Sequence, residues 1–224
     1  MSHSTMHPRE SFEQALRGLE DDIVRMGTMA GALIHRAIEA LQARDAGEAD
    51  AVIADDTRVD ALHLEIEQRV IALLATQQPM ARDLRELTST MAISIDLERM
   101  ADHAEGIGKA IKRLIKEPPL KPVVDIPRIE QIVQGMLQDA LDAFVRRDVA
   151  LAESLAAKDD MVDDLRSQVF RELLADMVKD PQTTSRALEL ILVAQHLERA
   201  ADHITNVAER VIYLVTGEMR ELNV

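Results

Sequence analysis

The sequence contains an internal repeat, so its fold has to consist of two similar units. A shift of 103 positions aligns RDAGEADAVIADDTRVDAL at 44–62 with RDVALAESLAAKDDMVDDL at 147–165. A shift of 100 positions aligns IDLERMADHA at 95–104 with QHLERAADHI at 195–204. The second half has therefore lost three residues between the two motifs. Internal duplication of a three-helix unit is the simplest explanation.

The repeated unit is predicted to be helical. Apolar residues recur at three- and four-residue spacing through most of the chain, and the alternation typical of strands is missing. Ala, Leu, Ile, Val and Met dominate, and only 2% of the residues are aromatic, a composition typical of helix bundles. Six helices are predicted, at 9–43, 46–76, 80–116, 126–147, 149–178 and 182–217.

The strongest break in this pattern is KEPPLKPVVDIP at 116–127, which holds four of the seven prolines. Proline removes helical hydrogen bonds and restricts the residue before it, so the segment predicts a linker. We therefore expect an all-α fold of two tandem, duplicated antiparallel three-helix bundles. The expected divisions are a flexible tail at 1–8, a first bundle at 9–117, a Pro-rich linker at 118–126 and a second bundle at 127–219.

Charge and cysteine content exclude several classes of protein. Acidic residues outnumber basic ones by 40 to 26, whereas a nucleic-acid surface needs a basic stripe, so no nucleic-acid binding is expected. The sequence has no cysteine, which excludes disulfides and thiolate metal sites. It shows neither a secretory signal nor a run of about twenty apolar residues, and we expect a cytoplasmic protein without membrane insertion.

Each half carries two acidic pairs at i, i+4, a spacing that places both carboxylates on one helix face. Counting from Pro79, Asp60 lies 19 residues before the turn and Glu98 lies 19 after it. Asp56 and Asp102 lie 23 residues before and after the same proline. An antiparallel hairpin therefore brings all four to one level, about 30 Å from the turn. The offsets agree to within one residue in the second half. The predicted metal ligands are Asp56, Asp60, Glu98, Asp102, Asp159, Asp163, Glu198 and Asp202.

Four carboxylates at one level repel one another, so the arrangement favours a bound cation. Divalent or trivalent ions with a preference for oxygen fit best, namely Mg, Mn, Ca or Fe, with Zn as a further option. The alternative is a solvated acidic face without metal. In that case Arg58, Arg99 or Arg199 would neutralise part of the charge through surface ion pairs.

Three histidines and an asparagine accompany the acidic motifs. His103 and His203 directly follow the second acid of each motif, and each is either a flanking ligand or part of a helix–helix contact. His196 lies on a different helix face and is predicted to be structural. Asn206 lies one turn beyond the second acidic pair and is a candidate hydrogen-bond donor to it, whereas its first-half counterpart is Gly106.

The acidic motifs resemble those of the PhoU family of phosphate-signalling proteins, which repeat a Glu/Asp-x-x-x-Asp motif within two tandem three-helix bundles. The resemblance extends from about residue 10 to 219, and the closing NVAERVIYLVTGE at 206–218 is also similar. The matching motifs are DTRVD at 56–60, LERMAD at 97–102, LERAAD at 197–202 and the stretch from Asp159 to Asp163.

The resemblance implies a cytoplasmic, non-enzymatic negative regulator of phosphate uptake and of phosphate-starvation gene expression. The implied partners are the ATPase subunit of the phosphate ABC transporter and the sensor histidine kinase of the phosphate two-component system, and family members often form homodimers. It also implies multinuclear metal clusters or single divalent ions on the eight acidic residues. Histidine is not expected after each motif in the family, so the resemblance assigns no role to His103 and His203.

Three alternatives stay open. One is an accessory protein of a low-affinity phosphate permease. Another is a carboxylate-bridged di-iron or di-manganese oxidase, which uses Glu-x-x-His on two helices. This chain has no Glu-x-x-His, and its nearest match, Asp60-x-x-His63, has Arg166 in place of the histidine in the second half. The third alternative is a helical scaffold that functions without metal.

Overall fold

A computed structural model describes residues 8–120 and 125–222 of the chain. The expected all-α class is confirmed, since these residues form helices and no strand occurs among them. None of the described helices is both long and apolar enough to cross a lipid bilayer. The helices are α1 Pro8–Ala43, α2 Ala46–Gln77, α3 Arg82–Leu114, α4 Asp125–Arg146, α5 Val149–Glu153, α6 Leu155–Lys179 and α7 Thr184–Thr216, with a 3₁₀ helix at Pro181–Thr183.

α5 and α6 together form the fifth of the six predicted helices. They are separated only at Ser154, whose backbone keeps right-handed helical angles (φ −68°, ψ −15°). The Ser154 hydroxyl donates to the carbonyl oxygen of Leu151 at 2.7 Å, and such side-chain bonds compete with the helical ladder and bend helices. The equivalent position in α2 is Ala51, which has no hydroxyl, and α2 is continuous.

The connection between the first two helices has the same form in both bundles. Arg44 and Arg147 have positive φ angles of 55° and 57°, a left-handed conformation that costs a non-glycine residue about 1 kcal/mol. The following aspartates then cap the next helix. Asp45 Oδ1 accepts from two amides of α2 at 2.8 and 3.1 Å, and Asp148 Oδ1 accepts from one amide of α5 at 3.0 Å. The repeated Arg-Asp of the sequence is thus a repeated turn.

The hairpin turns after α2 and α6 differ from each other. In the first bundle Gln78 and Ala81 both have positive φ angles, 45° and 50°. In the second bundle Pro181 begins a 3₁₀ turn, and Asp180 Oδ1 accepts from the amide of the turn's second residue at 3.0 Å. Because of this 3₁₀ turn, α7 begins at Thr184, two residues later than predicted.

The predicted tail at 1–8 and linker at 118–126 lie partly outside the described residues. α4 begins at Asp125, one residue earlier than predicted, which places Pro127 in its first turn. The first four amides of a helix have no helical acceptor, so a proline there removes no hydrogen bond.

The helices form the expected two bundles, α1 to α3 and α4 to α7. Their buried Leu, Ile, Val, Met and Ala side chains form one continuous apolar cluster, because α1 packs against α4 and α3 packs against α7. Full burial of each larger aliphatic side chain contributes about 1.5–3 kcal/mol. The two bundles therefore share a core.

The contact between α3 and α7, called the seam below, relates the bundles by approximate two-fold symmetry. The two helices run antiparallel, since Arg113 near the end of α3 donates to Glu189 near the start of α7 at 2.6 and 2.8 Å. Midway along the seam His103 stacks on His203, its counterpart in the repeat, with 5.5 Å between ring centroids. The approximate axis passes between these two rings.

Candidate metal centre

Three carboxylates of the first bundle converge between α2 and α3. Asp56 and Asp60 lie one turn apart on α2, and Asp102 lies on α3. One oxygen from each lies within 4.8 Å of the other two. The prediction that equal distances from the hairpin turn bring these residues together is confirmed. The three residues are called the acidic triad below.

Asp56 is the buried member of the acidic triad. It is 6% exposed, and its Oδ1 has no hydrogen-bond partner. Burial, followed by the charges of Asp60 and Asp102, raises the pKa of Asp56 from 3.8 to about 7. A buried acceptor without a donor costs about 1–3 kcal/mol. A hard cation would supply the missing partner, so these all-oxygen donors fit such an ion.

Glu98, the fourth predicted ligand of this half, lies beside the acidic triad rather than within it. It is not part of the group whose oxygens lie within 4.8 Å of one another. Burial and the charge of Asp102 raise the pKa of Glu98, and the charge of Arg99 opposes the increase. Glu98 is therefore coupled to the triad electrostatically.

The alternative, in which surface ion pairs neutralise the acidic face without a metal, accounts for only part of the negative charge of this face. Arg99 lies 3.3 Å from Asp102 and 3.6 Å from Glu98, but its side chain is 58% exposed, and such pairs contribute little. Arg58 pairs instead with Asp55 at 3.6 Å. In residues 8–120 and 125–222, no ion pair reaches the buried member of the triad.

Glu105 belongs to the same acidic face, although the sequence did not single it out. Its charge raises the pKa of both Asp56 and Asp60, after the larger effect of burial. Lys109 holds the Glu105 carboxylate at 2.5 Å. Glu105 lies three residues after the α3 member of the triad, so helical spacing could have found it. Comparison of the two repeats did not reveal Glu105, because its counterpart in the second half is Thr205.

The four predicted ligands of the second bundle are less closely grouped. Asp159 is 4% exposed, whereas Asp163 and Asp202 are exposed. Burial raises the pKa of Glu198, but among its charged neighbours Arg166 has the largest effect and lowers it. Within the described parts of the chain, no three of these acids bring oxygens within 4.8 Å of one another. Metal binding by these four residues stays a prediction.

Three histidines near the motifs meet in the seam. His103 Nδ1 lies 3.2 Å from His196 Nδ1, and on the other side of the axis His203 Nδ1 lies 3.0 Å from Asp96 Oδ1. Burial, reinforced by His196 and His203, lowers the pKa of His103 to about 4, so its ring is neutral near pH 7. Of the two predicted roles for His103 and His203, the structure supports the helix–helix contact.

Asn206 and Gly106, which occupy equivalent positions in the repeat, also lie at the seam. Asn206 Nδ2 donates to Asp96 Oδ1 at 3.1 Å, so the prediction that it donates to the second acidic pair is wrong. At Gly106 a Cβ atom would lie 2.3 Å from Cε1 of His196. The imidazole can occupy this place only because residue 106 has no side chain.

Comparison with known proteins agrees with the two-bundle arrangement. The family model of the PhoU domain matches residues 23–111 and 126–211, one match in each bundle. The chain belongs to the PhoU family. One curated relative is a phosphate-specific transport system accessory protein PhoU homolog from Clostridium acetobutylicum. It is 41% identical over 216 residues, an alignment that covers 96% of this chain and 99% of the relative.

Solved PhoU structures have the same fold. The crystal structure of PhoU from Pseudomonas aeruginosa superimposes with a TM-score of 0.88 at 36% identity and covers 92% of this chain and all of that one. The phosphate transport system regulatory protein PhoU from Streptococcus pneumoniae gives a TM-score of 0.87 at 31% identity, covering 93% and 99%. The resemblance based on the acidic motifs is confirmed. In this PhoU-family chain the acidic triad lies within the first PhoU domain, and the seam joins the two domains.

Proposed function

We propose that this chain is an accessory protein of phosphate transport that represses phosphate uptake and phosphate-starvation signalling. Its relatives are described as accessory and regulatory proteins of phosphate transport, and the similarity extends over nearly the full length of both chains. The proposed mode of action is binding rather than catalysis. The chain, as a homodimer, would connect the ATPase subunit of the phosphate ABC transporter to the sensor histidine kinase.

We also propose a metal ion in the first bundle, and the observation that carries this proposal is the buried, unpartnered Oδ1 of Asp56. Asp60 and Asp102 would complete the ligand set, with Glu98 as a further ligand. An all-oxygen set favours Mg, Mn or Fe over Zn. Binding would require ionised carboxylates, so it would release the proton that Asp56 retains below about pH 7 in the metal-free protein.

Such an ion would stabilise the hairpin of α2 and α3 and change the charge of its surface. It would connect α2 to α3 at the level of the acidic triad, where the carboxylates of the metal-free protein repel one another. It would also neutralise part of an acidic face that a negatively charged partner would otherwise avoid. Metal binding is therefore proposed to prepare this face for docking.

Metal analysis of the purified chain tests the proposed centre. Elemental analysis by mass spectrometry should find a bound metal in the wild type and a clear loss in Asp56→Asn and Asp102→Asn. Asp55→Asn is the matched control, because it removes a neighbouring carboxylate that binds Arg36 at 2.7 Å instead of entering the triad. Equal metal content in all four proteins would contradict the centre.

The regulatory role is tested in the bacterial host. Deletion of the gene should derepress a phosphate-starvation promoter in high phosphate, and the wild-type gene should restore repression. Unchanged expression after deletion would contradict the role. Pull-downs from cells grown in high and low phosphate should recover the transporter ATPase and the sensor kinase. Recovery of a low-affinity permease alone would contradict these partners and favour the other accessory role.

A further inference from the structure

Two imidazole nitrogens face each other across the seam. His103 on α3 and His196 on α7 place their Nδ1 atoms 3.2 Å apart. The ring centroids are 5.4 Å apart and the ring planes are tilted by 49°, so the rings meet through their nitrogen edges and do not stack. Only one proton fits between the two nitrogens, because one ring must donate its N–H and the other must accept it. A metal ion is the other group that can join two imidazole nitrogens at such a distance.

The separation of the two nitrogens is that of two histidine ligands on one metal ion. Zinc binds imidazole nitrogen at about 2.0–2.1 Å in tetrahedral geometry, which places two such nitrogens about 3.3 Å apart. The observed 3.2 Å is close to this value. Imidazole binds Zn, Cu and Ni well, whereas the acidic triad offers oxygen alone and suits hard cations. The histidine pair therefore fits a different class of metal from the triad.

The backbone of α3 leaves room for the His196 ring. A Cβ atom at residue 106 would lie 2.3 Å from Cε1 and 2.6 Å from Nε2 of this ring. Gly106 follows His103 by three residues, about one turn of α3, so the space that holds the ring borders His103. Both histidines also keep partial contact with solvent, which gives an ion access to the pair.

The other side of the axis has a different chemistry. His203, the counterpart of His103 in the repeat, meets Asp96 at 3.0 Å where His103 meets His196. The same oxygen of Asp96 also accepts from Asn206 at 3.1 Å, so two protein groups already engage this carboxylate. The substitution of histidine for aspartate at the repeated position thus creates a pair of nitrogen ligands on one side of the axis.

Positive charge near the pair is partly compensated. Arg113 acts on His196, but it donates to both oxygens of Glu189 at 2.6 and 2.8 Å. Arg199 acts on both rings, but it is exposed, and water and salt screen its charge. These arginines weaken the attraction of a cation without blocking the two nitrogens.

We infer that His103 and His196 bind a divalent transition-metal ion of the zinc class across the seam. Both rings bind through Nδ1, so the ring that carries its proton there in the metal-free protein shifts this proton to its own Nε2. In residues 8–120 and 125–222, no third His, Asp or Glu completes a group whose ligand atoms all lie within 4.8 Å of one another, so water fills the remaining positions. The ion connects α3 to α7, and this site does not depend on the acidic triad.

The test is a calorimetric titration of the metal-stripped, full-length chain with Zn²⁺. Excess Mg²⁺ in the buffer occupies all-oxygen sites and does not compete for imidazole. The wild type should bind one Zn²⁺ per chain, and Zn²⁺ should raise its temperature of unfolding. In His196→Asn both effects should be lost, although asparagine can still make the hydrogen bond to His103. His35→Asn, between α1 and α4, is the matched control and should retain both effects.

Each result decides for or against the seam site. A wild type that binds no Zn²⁺ would show that the pair is only a hydrogen bond, and equal binding by His196→Asn would place the ion elsewhere; either result overturns the inference. If circular dichroism shows that His196→Asn is unfolded, the nitrogen NMR signals of the wild-type imidazoles decide instead. Zn²⁺ should shift the Nδ1 signals of His103 and His196, and unchanged signals would overturn the inference.

Discussion

The substitution Asp56→Asn is expected to stabilise the metal-free protein at and above neutral pH. Burial, together with the charges of Asp60 and Asp102, raises the pKa of Asp56 from 3.8 to about 7. A tenfold change in a proton equilibrium corresponds to about 1.4 kcal/mol, so the ionised carboxylate destabilises the fold by up to about 4 kcal/mol. Water at the rim of the acidic triad screens part of this repulsion. A net gain of about 2 kcal/mol is therefore expected from the substitution.

The gain has a defined pH window. Below about pH 4 Asp56 is protonated in both the folded and the unfolded chain, and the two proteins should differ little. Between about pH 4 and pH 7 the unfolded chain releases the proton while the folded chain retains it, so wild-type stability falls as pH rises. Asparagine does not titrate. The stability difference should therefore grow through this window and then level off.

Urea unfolding of metal-stripped protein from about pH 4 to about pH 8, followed by circular dichroism, measures this difference. Asp55→Asn is the matched control with the opposite sign. The hydrogen bond from Arg36 lowers the pKa of Asp55, so its loss should destabilise the protein at neutral pH. A difference between Asp56→Asn and wild type that does not change with pH would refute the reasoning. So would a variant that is less stable than wild type at neutral pH without metal.

Two further substitutions test contacts within and between the bundles. Gly106→Ala places a methyl group 2.3 Å from the His196 ring and should lower stability by about 1–3 kcal/mol, as measured by thermal unfolding. His196→Ala in the same chain should restore most of that loss, and an additive second loss would contradict the clash. Arg147→Gln removes ion pairs to Glu20 at 2.8 Å and Glu86 at 2.7 Å and should cost about 1–3 kcal/mol. Because burial raises the pKa of Glu20, the loss in urea unfolding should be larger at about pH 8 than at about pH 5, and equal losses would contradict the role of charge.

The positions of the first-half acids could be predicted because helix geometry is constant. A fixed rise per residue means that equal counts from Pro79 become equal distances along the hairpin. That counting places Asp56 opposite Asp102, and oxygens of these two residues lie within 4.8 Å of each other. It also places Glu98 opposite Asp60, but Glu98 lies outside the group. Counting gives the level of a side chain but not its burial, which is why it could not single out Asp56 as the buried residue.

Residues that depend on long-range packing could not be found in this way. The seam joins side chains about a hundred positions apart, and no local period in the sequence indicates that His103 faces His196. Asn206 has the spacing of a residue on the acidic face, yet it donates to Asp96 on the opposite helix. Comparison of the repeats also favoured residues present in both halves. It therefore passed over Glu105, which occurs in only one.

The seam around the axis between His103 and His203 resembles a symmetric interface between two identical subunits. Because the two halves are covalently linked, equivalent positions in this interface can carry different residues. In a dimer of identical chains, positions 96 and 196 would have to carry the same residue. Here one carries aspartate, which faces His203, and the other carries histidine, which faces His103. Fusion into one chain thus permits mutations that affect one half alone, and the linker keeps the halves together while they diverge. The seam is a heterodimer interface within a single polypeptide.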